Sequence, residues 1–199
     1  MKVLGITGGI GSGKSTVLAY LAQQDKVVVY EADKIAHLLQ EKGQVCYKQI
    51  VEVFGQGILH SQDESIDRKA LGNIVFTDPK ELEKLNAIVH PAVHAYVSDL
   101  IANNQKQEGI LVIEAALLLE DHYQEECDEV WYIYCHDEVR KLRLATGRGY
   151  SAEKYEEIKK TQMSEEAFRK ACDVEINNST SQAELHQQLQ REIQRFKIQ

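Results

Sequence analysis

A chain of 199 residues is long enough for one sizeable core, and a single domain carrying an insertion is the expectation. Its 43% hydrophobic and 27% charged residues are ordinary for a globular protein. The formal charge of −8 argues against a nucleic-acid partner, whose phosphates need many Lys and Arg side chains. Apolar runs are broken early, as Glu114 breaks the one from Ile110 to Leu119, so no membrane association is expected. No targeting segment precedes the first apolar run, and a cytoplasmic location is expected.

Val3, Leu4 and Ile6 form a short run suited to a buried strand, and Val17, Leu18 and Leu21 recur at helical spacing. Between them Gly8 to Thr16, Gly-Gly-Ile-Gly-Ser-Gly-Lys-Ser-Thr, fits the spacing Gly-x-x-x-x-Gly-Lys-Ser of a phosphate-binding loop. Glycines there let backbone N–H groups turn inward around phosphate oxygens, and the following helix N-terminus adds partial positive charge. Gly9, Gly11, Ser12, Gly13, Lys14, Ser15 and Thr16 are therefore the candidate nucleotide-binding residues. Lys14 is expected to reach the β- and γ-phosphates of ATP, and the Ser15 hydroxyl to ligate Mg²⁺.

Val27 to Tyr30 reads as a second strand, ending in Glu31-Ala32-Asp33. Acids at the carboxyl end of a parallel strand face the crevice where ligands bind. From 34 to 109 the pattern is almost wholly helical, far longer than a crossover needs. It is read as a helical substrate-binding insert. Asp78-Pro79 marks a helix start within it, and Pro91 predicts a second one capped by His90. His90 and His94 have metal-like spacing, but no His-Glu-x-x-His accompanies them.

Ile110 to Ile113 is a third strand closed by Glu114, a candidate Mg²⁺ ligand beside Ser15. Val130 to Tyr134 and Val174 to Ile176 complete a doubly wound parallel sheet of about five strands, an α/β, P-loop kinase-like core spanning 1–199 as one domain. Trp131, Tyr132 and Tyr134 are expected to pack rather than to stack a base. The four cysteines are irregularly spaced, which predicts reduced, mostly buried thiols. Arg140, Lys141, Arg143 and Arg148 fall in an acid-free window, and about 139–163 is read as a lid, with Gly147 and Gly149 lending it flexibility. Ser181 to Glu184 has capping-box spacing before the stripe Leu185, Leu189, Ile193 and Phe196.

No Asn-Lys-x-Asp or Asp-x-x-Gly appears, so a GTP switch is disfavoured and a kinase for a small acceptor fits best. Asp33 is the candidate acceptor-side carboxylate, with an N-cap role for the helix from Lys34 equally open. Arg143 or Arg148 would stabilise charge during transfer. Another small-acceptor kinase and a non-catalytic ATP-binding regulator remain the alternatives.

The chain also resembles one family, the dephospho-coenzyme A kinases. The resemblance rests on Thr7-Gly8-Gly9-Ile10-Gly11 opening the loop, Ala32-Asp33-Lys34-Ile35-Ala36, Asp67-Arg68-Lys69-Ala70-Leu71, Val75-Phe76, Val89-His90-Pro91, Leu117-Leu118-Leu119-Glu120 and Asn177-Asn178. It implies ATP-dependent phosphorylation of the ribose 3′-hydroxyl of dephospho-coenzyme A, the last step of coenzyme A synthesis. By match, Asp33 would partner the 3′-hydroxyl, Glu114 would lie near Mg²⁺, Arg143 and Arg148 would be lid cations, and Asn177 would lie near adenine. Glu31 stands where the family usually has Asp, and His37 where Arg is frequent.

Overall fold

The computed structural model describes residues 1–198. Five strands, β1 (Lys2–Thr7), β2 (Val27–Glu31), β3 (Ile110–Glu114), β4 (Glu129–Tyr134) and β5 (Val174–Asn177), form one sheet in the order β2-β3-β1-β4-β5. β1 pairs in parallel with β3 and β4, and β4 with β5. β1 and β3 are buried almost throughout, as a parallel sheet covered on both faces requires. β2 lies at the edge, and its Val28 is exposed, so a run of three valines need not mark a central strand.

One face of the sheet packs Leu4, Ile6, Val112, Trp131, Ile133 and Ile176 against helix α1 (Lys14–Leu21) and the C-terminal helix α9 (Gln182–Ile198). The stripe Leu185, Leu189, Ile193 and Phe196 is buried there as its spacing predicts. The capping box is realised at its start: Glu184 N–H donates to Ser181 Oγ at 3.3 Å, and Ser181 N–H to Glu184 Oε2 at 3.0 Å. On the opposite sheet face Tyr132 stacks on Phe168, with ring centroids 4.8 Å apart. Trp131 is wholly buried and its indole N–H donates to Glu129, so both aromatics are packing residues.

Residues 1–30 and 104 onward form one compact unit and Glu31–Asn103 a second. The second unit holds α2 (Ala32–Leu39), α3 (Val45–Phe54), α4 (Arg68–Val75) and most of α5 (Pro79–Asn104). Asp67 caps α4, accepting from Lys69 and Ala70 N–H, and Asp78 accepts from Lys80 N–H at the start of α5. The expected helix start at Pro91 is not seen, because α5 runs straight through it. Pro91 removes one internal hydrogen bond, but Val89, Val93, Val97 and Ile101 form a continuous buried stripe across it. Burial of that stripe outweighs the local penalty.

The basic segment forms α6 (Asp137–Arg148), followed by α7 (Ala152–Thr161) and α8 (Glu165–Ala171). Gly149 is the terminator of α6, at φ 64°, with its N–H donating to Ala145 O and the Tyr150 N–H to Leu144 O. Its glycine thus serves a fixed left-handed cap. Asp137 ties α6 to α7, accepting from Tyr155 Oη at 2.7 Å and from Lys159, while Lys141 lies 3.0 Å away. Burial opposes ionisation of Asp137, but these three donors prevail and hold its carboxyl well below the usual range. All four cysteines are free, and Cys46 and Cys135 are buried.

Candidate active site

The loop from Gly8 to Gly13 leaves the end of β1 and feeds α1, so its amides gather at the helix N-terminus. Gly13 is the N-cap, at φ 88°. A Cβ there would come within 2.1 Å of Asn178 Nδ2, so both conformation and space demand glycine. Lys14 folds back over the loop: its Nζ donates to Gly8 O at 2.8 Å and lies 3.7 Å from Glu114 Oε1. Glu114, at the end of β3, is buried, and β3 delivers it because Ile6 of β1 is its register partner. Ser15 and Thr16 are exposed in the first turn of α1. Ser12 is buried, and its Oγ finds no partner among the described residues.

A cleft of about 330 Å³ opens beside the α1 N-terminus, lined by Gly13, Thr16, Arg143, Asn178, Thr180 and Gln182. Arg143 is steadied by Cys135, whose Sγ accepts from its guanidinium at 3.4 Å. Burial pushes the Cys135 thiol up against the opposing pull of Arg143, which keeps it neutral. Arg148, the last residue of α6, is exposed.

Asn178 rather than Asn177 lines this cleft. Its Nδ2 donates to the Ser12 carbonyl at 2.8 Å, whereas Asn177 Oδ1 turns away to accept from Ser179 N–H. Strand alternation carries the signal: Ile176 is fully buried in the α1-side core, so Asn178, two residues on, projects to the same side. Two further side chains hold the loop at Ile10, Gln162, for which the sequence carries no signal, and Arg140, expected as a lid cation: Arg140 Nε donates to Ile10 O at 2.9 Å, and Ile10 N–H to Gln162 Oε1 at 3.0 Å. Arg140 was visible only as one cation of a basic helix, and nothing in its spacing separates it from Arg143.

Asp33 lies in the second unit, in the first turn of α2. The helix begins at Ala32 with Glu31 as N-cap, so Asp33 stands inside the turn and the capping role falls away. Its carboxylate is exposed, and Glu31 is paired with Lys34 at 2.6 Å.

A family model described as dephospho-CoA kinase matches residues 2–184. The chain belongs to the dephospho-CoA kinase family. It is a kinase enzyme of coenzyme A biosynthesis, acting at the last step on a P-loop fold. A dephospho-CoA kinase of Aquifex aeolicus is 38% identical over 96% of this chain and 95% of its own length. One of Symbiobacterium thermophilum is 39% identical over 91% of this chain and 75% of its own. Among solved structures, a dephospho-CoA kinase from Campylobacter jejuni superposes with a TM-score of 0.76 at 27% identity, covering 99% of this chain and 98% of that one. A shikimate kinase from Acinetobacter baumannii shares the fold alone, at 13% identity and a TM-score of 0.57 over 100% of this chain and 96% of that one.

Proposed function

We propose that this chain transfers the γ-phosphoryl group of ATP to the ribose 3′-hydroxyl of dephospho-coenzyme A, in the cytoplasm and with Mg²⁺. The observation that carries the reading is the Lys14 ammonium held between Gly8 O and the Glu114 carboxylate over a glycine loop at a helix N-terminus. A cation and a strand-end acid so placed are the parts that phosphoryl transfer needs at its donor side.

In this reading the loop amides and Lys14 cradle the β- and γ-phosphates, and the cleft beside Asn178 and Arg143 receives the adenosine end. Ser15 and Glu114 supply hard oxygen donors within one unit, which suits Mg²⁺. No cluster of three His, Cys, Asp or Glu exists among the described residues, in keeping with a cation that binds few side chains and completes its shell with phosphate and water. Bound there, Mg²⁺ would neutralise charge on the β- and γ-phosphates.

Asp33 orients the acceptor hydroxyl and takes its proton as the new bond from oxygen to phosphorus forms. The bond to the β,γ-bridging oxygen breaks, and ADP leaves with that electron pair. Arg143 and Arg148 offset the charge that spreads over the transferring group. The helical insert, 34–109, serves as the acceptor-binding lobe and 139–163 as the lid.

The test is incubation with ATP, Mg²⁺ and either dephospho-coenzyme A or a panel of nucleosides and nucleoside monophosphates. Coenzyme A forming in step with ADP is the expected result. Turnover confined to the panel would overturn the assignment.

A further inference from the structure

We propose that Arg140 and Gln162 form a two-sided clamp on the Ile10 backbone that sets the shape of the phosphate loop, making both of them positioning residues for nucleotide binding. The proposal rests on the reading of Gly8 to Thr16 as the ATP loop. Ile10 occupies the crest of that loop. Its carbonyl accepts from Arg140 Nε at 2.9 Å, and its N–H donates to Gln162 Oε1 at 3.0 Å. Both polar main-chain groups of one residue are thus consumed by side chains reaching in from α6 and from the residue that ends α7, one in the Gly9–Ile10 peptide and the other in the Ile10–Gly11 peptide.

The clamp is itself built in. Arg140 is only 5% exposed, an unusual place for a guanidinium, and its burial is supported on three sides. Ile10 O takes Nε, Glu165 of α8 lies 3.8 Å from Nη1, and the Tyr155 ring of α7 lies 5.5 Å from the guanidinium carbon. A rigid planar donor so fixed defines where the Ile10 carbonyl must be. Gln162 then fixes the rotation of the preceding peptide plane, Gly9–Ile10. With these two successive planes pinned, the Gly11 amide and those that follow to Lys14 keep one orientation before ligand arrives, and the ordering cost of binding falls.

A cleft of about 470 Å³ runs along the clamp, with Gly9, Arg140, Gln162 and Glu165 on its wall. The clamp therefore borders this cleft while Arg140 itself stays buried. Arg143 follows Arg140 by one helical turn and lines the separate cleft beside Asn178. One helix thereby governs both the loop crest and a cation at the nucleotide cleft, so a shift of α6 moves both.

Gln162→Leu tests the clamp without touching the buried cation, since Gln162 is partly exposed. In the full-length protein this variant is expected to raise the ATP dissociation constant, measured by calorimetry, about tenfold, the usual weight of one or two such bonds. Gln162→Glu, which retains an acceptor for the Ile10 N–H, is expected to restore affinity to within about threefold of the parent. The KM for dephospho-coenzyme A and the melting temperature stay where they were. Equal ATP affinity in parent and Gln162→Leu, or equal loss in the Leu and Glu variants, overturns the clamp. Amide exchange at Ile10 in the ligand-free protein supplies a readout that needs no nucleotide: faster exchange in Gln162→Leu than in Gln162→Glu supports it, and equal rates refute it. If the parent bound no ATP at all, the functional reading would fall and the exchange rates would still judge the clamp.

Discussion

Asn178 and Ser12 are joined by a buried hydrogen bond, the side-chain amide donating to the loop carbonyl at 2.8 Å. It places the residue just past β5 against the far limb of the first loop, at Ser12. Asn178→Ala is expected to raise the KM for ATP roughly tenfold, because a buried carbonyl is left without its donor. Asn177→Ala, which removes only a local contact to Ser179, should change that KM less than twofold by the modest net worth of such a bond. Steady-state kinetics on the pair check this, and the opposite ranking would restore Asn177 to the cleft.

Asp33→Asn keeps the size of the side chain and removes its basicity. We expect kcat to fall by roughly two to four orders of magnitude with the ATP dissociation constant unchanged, the usual scale for a lost general base. Unchanged turnover would remove Asp33 from the chemistry, and the helix start at Ala32 leaves no capping role to fall back on.

The two arginines of α6 should separate kinetically. Arg143 lines the cleft beside the α1 N-terminus, so Arg143→Ala is expected to weaken ATP binding as well as turnover. Arg148 is exposed at the helix end, and Arg148→Ala is expected to lower kcat more than it raises the KM for dephospho-coenzyme A. A raised acceptor KM at unchanged kcat would make Arg148 a binding residue.

Acid should loosen the joint between α6 and α7. The Asp137 carboxyl is depressed in the folded chain, despite burial, by Lys159, Tyr155 and Lys141. A depressed carboxyl stabilises the fold fully above its unfolded value, near pH 4, and that stabilisation drains away as pH falls through the folded value. Asp137→Asn should therefore cost about 1 kcal/mol near pH 7, a figure reduced for the partial solvent exposure of the cluster. Denaturant titration of parent and variant at pH 7 and at pH 3 should show the gap narrowing; a pH-independent gap would refute the linkage.

The parts of the molecule that obey simple periodicity were readable in advance. The strands around Leu4, Val112 and Ile133 and the α9 stripe follow from apolar spacing, and the loop from the positions of its glycines and Lys14. Pro91 misled because a local breaker signal was set against a buried stripe that only tertiary packing supplies. Asn177 was preferred to Asn178 by family match, although alternation from Ile176 favours the latter. Arg140 could not be singled out, since its role depends on Glu165 and Tyr155 meeting it from helices still unplaced in a bare sequence.

β1 occupies the middle of the sheet, where Ile6 lies beside Glu114 and Leu4 beside Glu129. Each of those pairings closes a very long loop of chain, so entropy delays them in folding relative to the helices, whose bonds are local. β1 must wait for its neighbours, and the donor side of the site comes into being only when β3, β4 and the segment beyond β5 have docked. Nucleotide capture during refolding is therefore a late event, and it reports completion of the sheet rather than formation of helix.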